Sequence, residues 1–145
     1  MIPLRDNIPS QRFPVINWML IIANAVVFII EMSQGNTKAF IFEYGLVPAN
    51  TTIGGGNTHT FFTNMFLHGG WGHLLANMWM LYIFGDNVED RMGSFRYLMF
   101  YILAGLIASF THYILYLNSG VPALGASGAI SGVMAAYMFL FPNSM

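Results

Sequence analysis

No cysteine occurs anywhere in the chain, which excludes disulfides, thiolate metal sites and a cysteine nucleophile. Charge is scarce as well. Only 8% of the 145 residues are Asp, Glu, Lys or Arg and 56% are hydrophobic, whereas soluble domains carry roughly a quarter charged residues. That balance belongs to a membrane protein whose first partner is the lipid bilayer. A net charge of −1 leaves no basic surface, so nucleic acid is excluded as a partner. Internal repeats, low-complexity tracts and linkers are missing too, and residues 1–145 read as a single membrane domain.

What is present is a set of apolar runs. The first, PVINWMLIIANAVVFII from Pro14 to Ile30, is at the short end of what crosses roughly 30 Å of hydrocarbon, and Pro14 stands where a first-turn proline is tolerated. A second run, from about Gly72 to Phe84, is short and polar-tinged. The third, about Tyr97 to Leu117, is long and aromatic-rich, and the fourth, about Ala126 to Phe141, consists mostly of small residues. These spacings predict an all-α polytopic protein with four transmembrane helices. The leader MIPLRDNIPSQR contains an aspartate, and no small-residue cleavage site follows the first run, so that run is expected to remain as an anchor.

Positive charge sets the expected orientation. Arg5 and Arg12 precede the first run, Arg91 and Arg96 lie between the second and third, and only Lys38 falls in the loop after the first. Arginine and lysine mark the cytoplasmic side. Residues 1–13 are therefore expected to be a cytoplasmic N-terminal segment, and residues 33–70 an extracytoplasmic loop. Phe40, Phe42, Tyr44 and Leu46 give that loop apolar groups to cover, so it reads as a compact element lying partly in the membrane interface, with IGGGN as a turn.

Polar residues within the apolar runs carry the functional signal. His73 and Asn77 are four apart and share a face if the second run is helical. Intramembrane ionisable groups normally face the protein interior or a wet cavity, which makes the pair a functional candidate; interhelical hydrogen bonding is the structural alternative. His68 and His59 lie nearby, but no HExxH pattern accompanies them and no metal or other cofactor is expected. His112, among apolar and hydroxyl neighbours, reads as a buried hydrogen-bonding residue.

In LGASGAISG, Gly128, Gly132 and Ala136 recur every four residues, a small-residue stripe that lets helices, or two copies of the chain, approach closely. Packing explains the glycines. Ser127 is different: at the start of the fourth run its hydroxyl would lie beside backbone N–H groups that have no intrahelical partner. Helix capping and nucleophilic catalysis both use that placement.

The segment FTNMFLHGGWGHLLANMWMLYIFGDNVEDRMG, followed by GASGAISGVMAAYMFLFP, resembles the rhomboid intramembrane serine proteases, and MIPLRDNIPSQRFPVINW and EYGLVPA are similar to bacterial members. The resemblance covers nearly the whole chain. It implies a rhomboid-like bundle of six spans, four of them present here, with a long interfacial first loop. It also implies hydrolysis of peptide bonds in or near transmembrane segments of protein substrates. Ser127 matches the nucleophile of a G-x-S-G motif made by Gly125, Ala126, Ser127 and Gly128, while His73 and Asn77 match the oxyanion-binding pair. Residence in the bacterial inner membrane as a multi-pass protein, N-terminus in the cytoplasm, follows from the same likeness.

Two departures accompany it. Many members carry an aromatic-arginine pair nine and eight positions before the histidine matching His68; here His59 and Thr60 stand there. The family's general base is a histidine on a sixth span, and the sequence given runs only to Met145, shortly after the fourth. A four-span fragment is thus expected to be nearly inactive, because an unassisted serine hydroxyl is a poor nucleophile. The same scaffold without a base could instead bind transmembrane clients.

Overall fold

The first apolar run folds as α1, Val15–Ser33, and its first free backbone N–H groups have no local cap, since Pro14 offers none. A distant carboxylate takes that role. Glu89 Oε1 accepts from Ile16 N–H at 3.0 Å and Oε2 from Asn17 N–H at 2.8 Å, placing negative charge at the positive end of the helix. The computed structural model describes residues 6–144; the charge assigned to Arg5, with the rest of residues 1–5 and Met145, lies outside them.

The segment between the first and second runs, expected as a compact interfacial loop, contains several short helical elements. Helix α2, Thr37–Tyr44, starts at Asn36, whose side chain accepts from Ala39 N–H at 3.1 Å. A 3₁₀ turn over Pro48–Asn50, the one-turn α3 at Thr60–Thr63 and a second 3₁₀ turn at Asn64–Phe66 follow. Leu46, read beforehand with the interfacial aromatics, is fully buried.

The second run becomes α4, Trp71–Met80, a π turn over Leu81–Gly85, and α5, Asp86–Met92. A π turn leaves backbone groups out of register. Here Asn17 Nδ2 donates to Leu81 O at 2.9 Å, and Tyr97 O–H donates to Asn17 Oδ1 at 2.7 Å. Gly85 makes room for both groups: a methyl at that position would lie 2.7 Å from the Tyr97 hydroxyl. Gly93, at φ 88° and ψ 148°, then turns the chain into α6, Ser94–Leu115, in a conformation that side chains rarely tolerate. The fourth run is α7, Ser127–Leu140.

Helices α1 and α6 are long and apolar enough to cross a membrane; α7 is apolar but shorter. The molecule is apolar outside and polar within. Met19, Ile22, Ile29, Leu103, Ile107 and Phe139 are exposed, whereas Asn17, Asn24, Glu31, Asn77, Asn87 and Glu89 are buried. Water would penalise such an outer face, and lipid accepts it. The protein is an all-helical membrane bundle.

Helix α7 packs along α6 through small residues on both sides. A methyl on Gly128 would run into Ala108 Cβ, and one on Gly132 would lie 2.7 Å from Ala104 Cβ. From sequence, the Gly128, Gly132, Ala136 stripe is expected to meet another helix or a second copy of the chain. At its two glycines α6 already fills it, because Ala104 and Ala108 repeat at the same four-residue spacing.

Candidate active site

Ser127 opens α7, yet it does not cap the helix. Ala126 occupies the N-cap position without a side-chain hydrogen bond, and Ser127 is the first helical residue, exposed. The capping role considered for it is thus not the one it plays. Its hydroxyl has been left out of the local network, whereas Ser131 one turn on donates to Ser127 O at 2.7 Å.

The backbone before Ser127 is held by the segment between α1 and α4. Leu46 and Ala123 exchange a pair of backbone bonds, 3.0 and 2.8 Å, and Gly125 N–H donates to Asn64 O at 2.8 Å. Asn64 is itself fixed, since its Nδ2 reaches Thr60 O at 2.6 Å and Ser109 Oγ at 3.0 Å. Rigid support of this kind keeps a reactive group in one place.

Gly125 stands beside both the His73 imidazole and the Ser127 hydroxyl. Its φ of 120° lies in the region that favours glycine, and a methyl there would sit 2.7 Å from His73 Cε1, 2.9 Å from Nε2 and 3.8 Å from Ser127 Oγ. His73, Gly125, Ser127 and Gly128 line one open cleft of about 430 Å³.

The tautomer of His73 follows from its neighbour. Gly69 N–H donates to His73 Nδ1 at 3.3 Å, and a backbone amide can only donate. Neutral His73 therefore carries its proton on Nε2, the nitrogen beside Gly125. A histidine in that form offers a hydrogen bond to an oxygen; it does not accept one at that atom.

Asn77 lies one turn further along α4, 7% exposed, and does not line the cleft. Its Nδ2 is buried without an acceptor. An orphaned buried amide costs free energy and calls for an explanation. His68 Nε2 is likewise buried and unpartnered, and burial, with His73 next to it, pulls the His68 imidazole down to about 4. His68 is neutral at physiological pH.

His112 also lines the cleft. Contrary to expectation it is only half-buried and its ring lies against Tyr116, centroids 4.8 Å apart. At the departures noted above, His59 is exposed with Nε2 3.3 Å from Glu43 O, and Thr60 is buried with its hydroxyl on Asn57 O. Glu31 and Gly69 were missed by sequence reasoning. Glu31 is 1% exposed at the end of α1, and its Oε2 accepts from His68 N–H at 3.2 Å. A lone carboxylate closing the apolar run was the available signal.

Residues 55–145 match the family model described as Rhomboid domain. The chain belongs to the rhomboid family. Rhomboid protease GluP from Bacillus subtilis (strain 168) is 32% identical over 113 residues, covering 78% of this chain and 22% of that protein. The chloroplastic Rhomboid-like protein 11 of Arabidopsis thaliana is 29% identical over 127 residues, 88% of this chain and 42% of the relative. A mitochondrial Presenilin-associated rhomboid-like protein from Mus musculus is 30% identical over 126 residues, 86% and 32% respectively. The chain thus spans less than half the length of these rhomboid relatives.

Proposed function

We propose that this rhomboid chain carries the nucleophile and oxyanion pocket of an intramembrane serine endopeptidase acting on transmembrane proteins. Ser127 Oγ, its proton taken by a base that further spans would supply, attacks the scissile carbonyl, and the developing oxyanion takes hydrogen bonds from His73 Nε2–H, Asn77 Nδ2–H and the Ser127 backbone N–H. Such donors, fixed before the reaction in a poorly solvated site, lower the barrier by several kcal/mol. The observation that carries the reading is the pairing at His73: Gly69 N–H occupies Nδ1 and leaves Nε2–H as a donor beside Gly125 and Ser127. Asn77, a buried donor without an acceptor, supports it.

Helix α7 is about 21 Å long at 1.5 Å per residue, short of a roughly 30 Å hydrocarbon layer. With residues 33–70 outside and both the leader and the α5–α6 joint in the cytoplasm, Ser127 lies below the outer surface of a four-span unit. The proposed setting is the cell membrane of a bacterium, with Rhomboid protease GluP of Bacillus subtilis among the bacterial relatives. The cleft around Ser127 supplies the water-accessible space that hydrolysis requires.

The described residues give Ser127 no hydrogen-bonded base. The test therefore joins the chain, after Pro142, to the fifth and sixth spans of a family member. Cleavage of a model transmembrane substrate in liposomes is expected from this fusion and not from its Ser127→Ala variant. Equal cleavage by both would remove Ser127 from the mechanism and leave the client-binding alternative.

A further inference from the structure

Glu31 is an expensive residue in its place. A carboxylate at the end of an apolar helix, 1% exposed, loses its hydration, and buried ionisable groups in membrane segments are retained where something depends on them. What Glu31 touches is the turn that leads into α4. Its Oε2 accepts from His68 N–H, and the very next amide, Gly69 N–H, donates to His73 Nδ1. Two successive backbone donors thus hang between one carboxylate and one imidazole.

The surrounding packing fixes the same turn from other sides. Phe28, one turn before Glu31 on α1 and fully buried, meets the His68 ring edge-on at 6.4 Å and Trp71 at 5.0 Å. His68 in turn meets His73 edge-on, centroids 5.1 Å apart, with its own Nδ1 3.2 Å from Phe66 O. No acidic, lysine or arginine side chain other than Glu31 bonds to this turn among the described residues.

We infer that Glu31 is a positioning residue: by holding the His68–Gly69 backbone it keeps Gly69 N–H on His73 Nδ1, and so keeps the His73 proton on Nε2, facing Ser127. Its importance for peptide hydrolysis rests on the oxyanion role proposed for His73. Its effect on the His73 tautomer does not.

The test is nitrogen NMR on the chain containing 15N-labelled histidine in lipid, with the four histidines distinguished by single substitutions such as His73→Gln. At neutral pH, His73 of the unaltered chain is expected to show a protonated Nε2 and a bare Nδ1. Glu31→Ala should move part of the His73 population to the Nδ1–H form, and Glu31→Gln, whose amide oxygen can still accept from His68 N–H, should keep the original pattern. Should Glu31→Ala fail to insert, Glu31→Asp withdraws the carboxylate by one methylene and should shift the tautomer in the same direction. A protonated Nδ1 in the unaltered chain would overturn the inference. So would an unchanged pattern in whichever of the Ala and Asp variants inserts, or a Gln variant that behaves like them. Ser127→Ala should leave the pattern untouched, so a failed nucleophile assignment and a failed Glu31 assignment are told apart. In the cleaving fusion, Glu31→Ala should lower kcat by about tenfold or more with KM little changed, and Glu31→Gln should recover it.

Discussion

The two ends of the bundle differ in how completely their buried polar groups are bonded. At the end carrying Arg12, Arg91 and Arg96, Glu89 accepts from Ile16 N–H, Asn17 N–H and the Ser94 hydroxyl, and Asn17 is bonded to both Leu81 O and Tyr97. At the Ser127 end, Asn77 Nδ2 and His68 Nε2 are buried with no partner and the serine hydroxyl caps nothing. Saturated groups hold a fold together. Unsaturated ones cost stability, and a protein keeps them where a reacting group will supply the missing bond.

The comparison is broken or sharpened most strongly at Glu89. Glu89→Ala leaves two helix-start amides and a hydroxyl without their acceptor, and should cost several kcal/mol of stability, at about 1 to 3 kcal/mol for each buried donor left unsatisfied. Reversible unfolding in mixed micelles measures it; a cost under about 1 kcal/mol would mean that the arginine end is not what holds α1 in place.

A smaller effect is expected from acid at the opposite end. His68 titrates near 4 in the fold against an ordinary 6.5, so between those values the unfolded chain takes up the proton first. Its contribution to stability is complete above about pH 6.5, falls by at most about 1.4 kcal/mol per pH unit down to about pH 4, and is flat below. The groups facing it are Glu31 and His73. His68→Gln should flatten that part of the unfolding profile; a profile unaltered by the substitution would contradict the burial of a neutral imidazole there.

Gly125→Ala ranks next, at about 1 to 3 kcal/mol for backbone strain. The added methyl also meets His73, so reactivity at Ser127 should be lost while the bundle still inserts. Retained reactivity would show that the open space at Gly125 beside His73 and Ser127 is not needed. The smallest stability change is predicted for Asn77→Leu: within about 1 kcal/mol of the unaltered chain, because the removed donor has no acceptor to leave behind. In the cleaving fusion the same substitution should still lower kcat. A cost of several kcal/mol would make Asn77 a structural residue like Asn17.

The helices were legible in the sequence because apolar runs and a first-turn proline act locally. The π turn at Leu81–Gly85 was not, since what stabilises it is Asn17, far away in the chain. Ser127, His73 and Asn77 stood out as polar groups in apolar surroundings. The tautomer of His73 did not, because it depends on the backbone of Gly69, which has no signature of its own. Glu31 was hidden for the same reason: one carboxylate in an apolar run shows its burial cost but not the amide that donates to it. The neighbour over Gly128 and Gly132 was not legible, because a small-residue stripe predicts close contact without naming the partner.

The most direct test of the account is where a fluorophosphonate attaches. In the fusion that carries the two further spans, mass spectrometry of the labelled protein should place the adduct on the peptide containing Ser127, and Ser127→Ala should abolish it. An adduct on another residue, or labelling that survives Ser127→Ala, would mean that the unsaturated end of this bundle is not an acyl-transfer site.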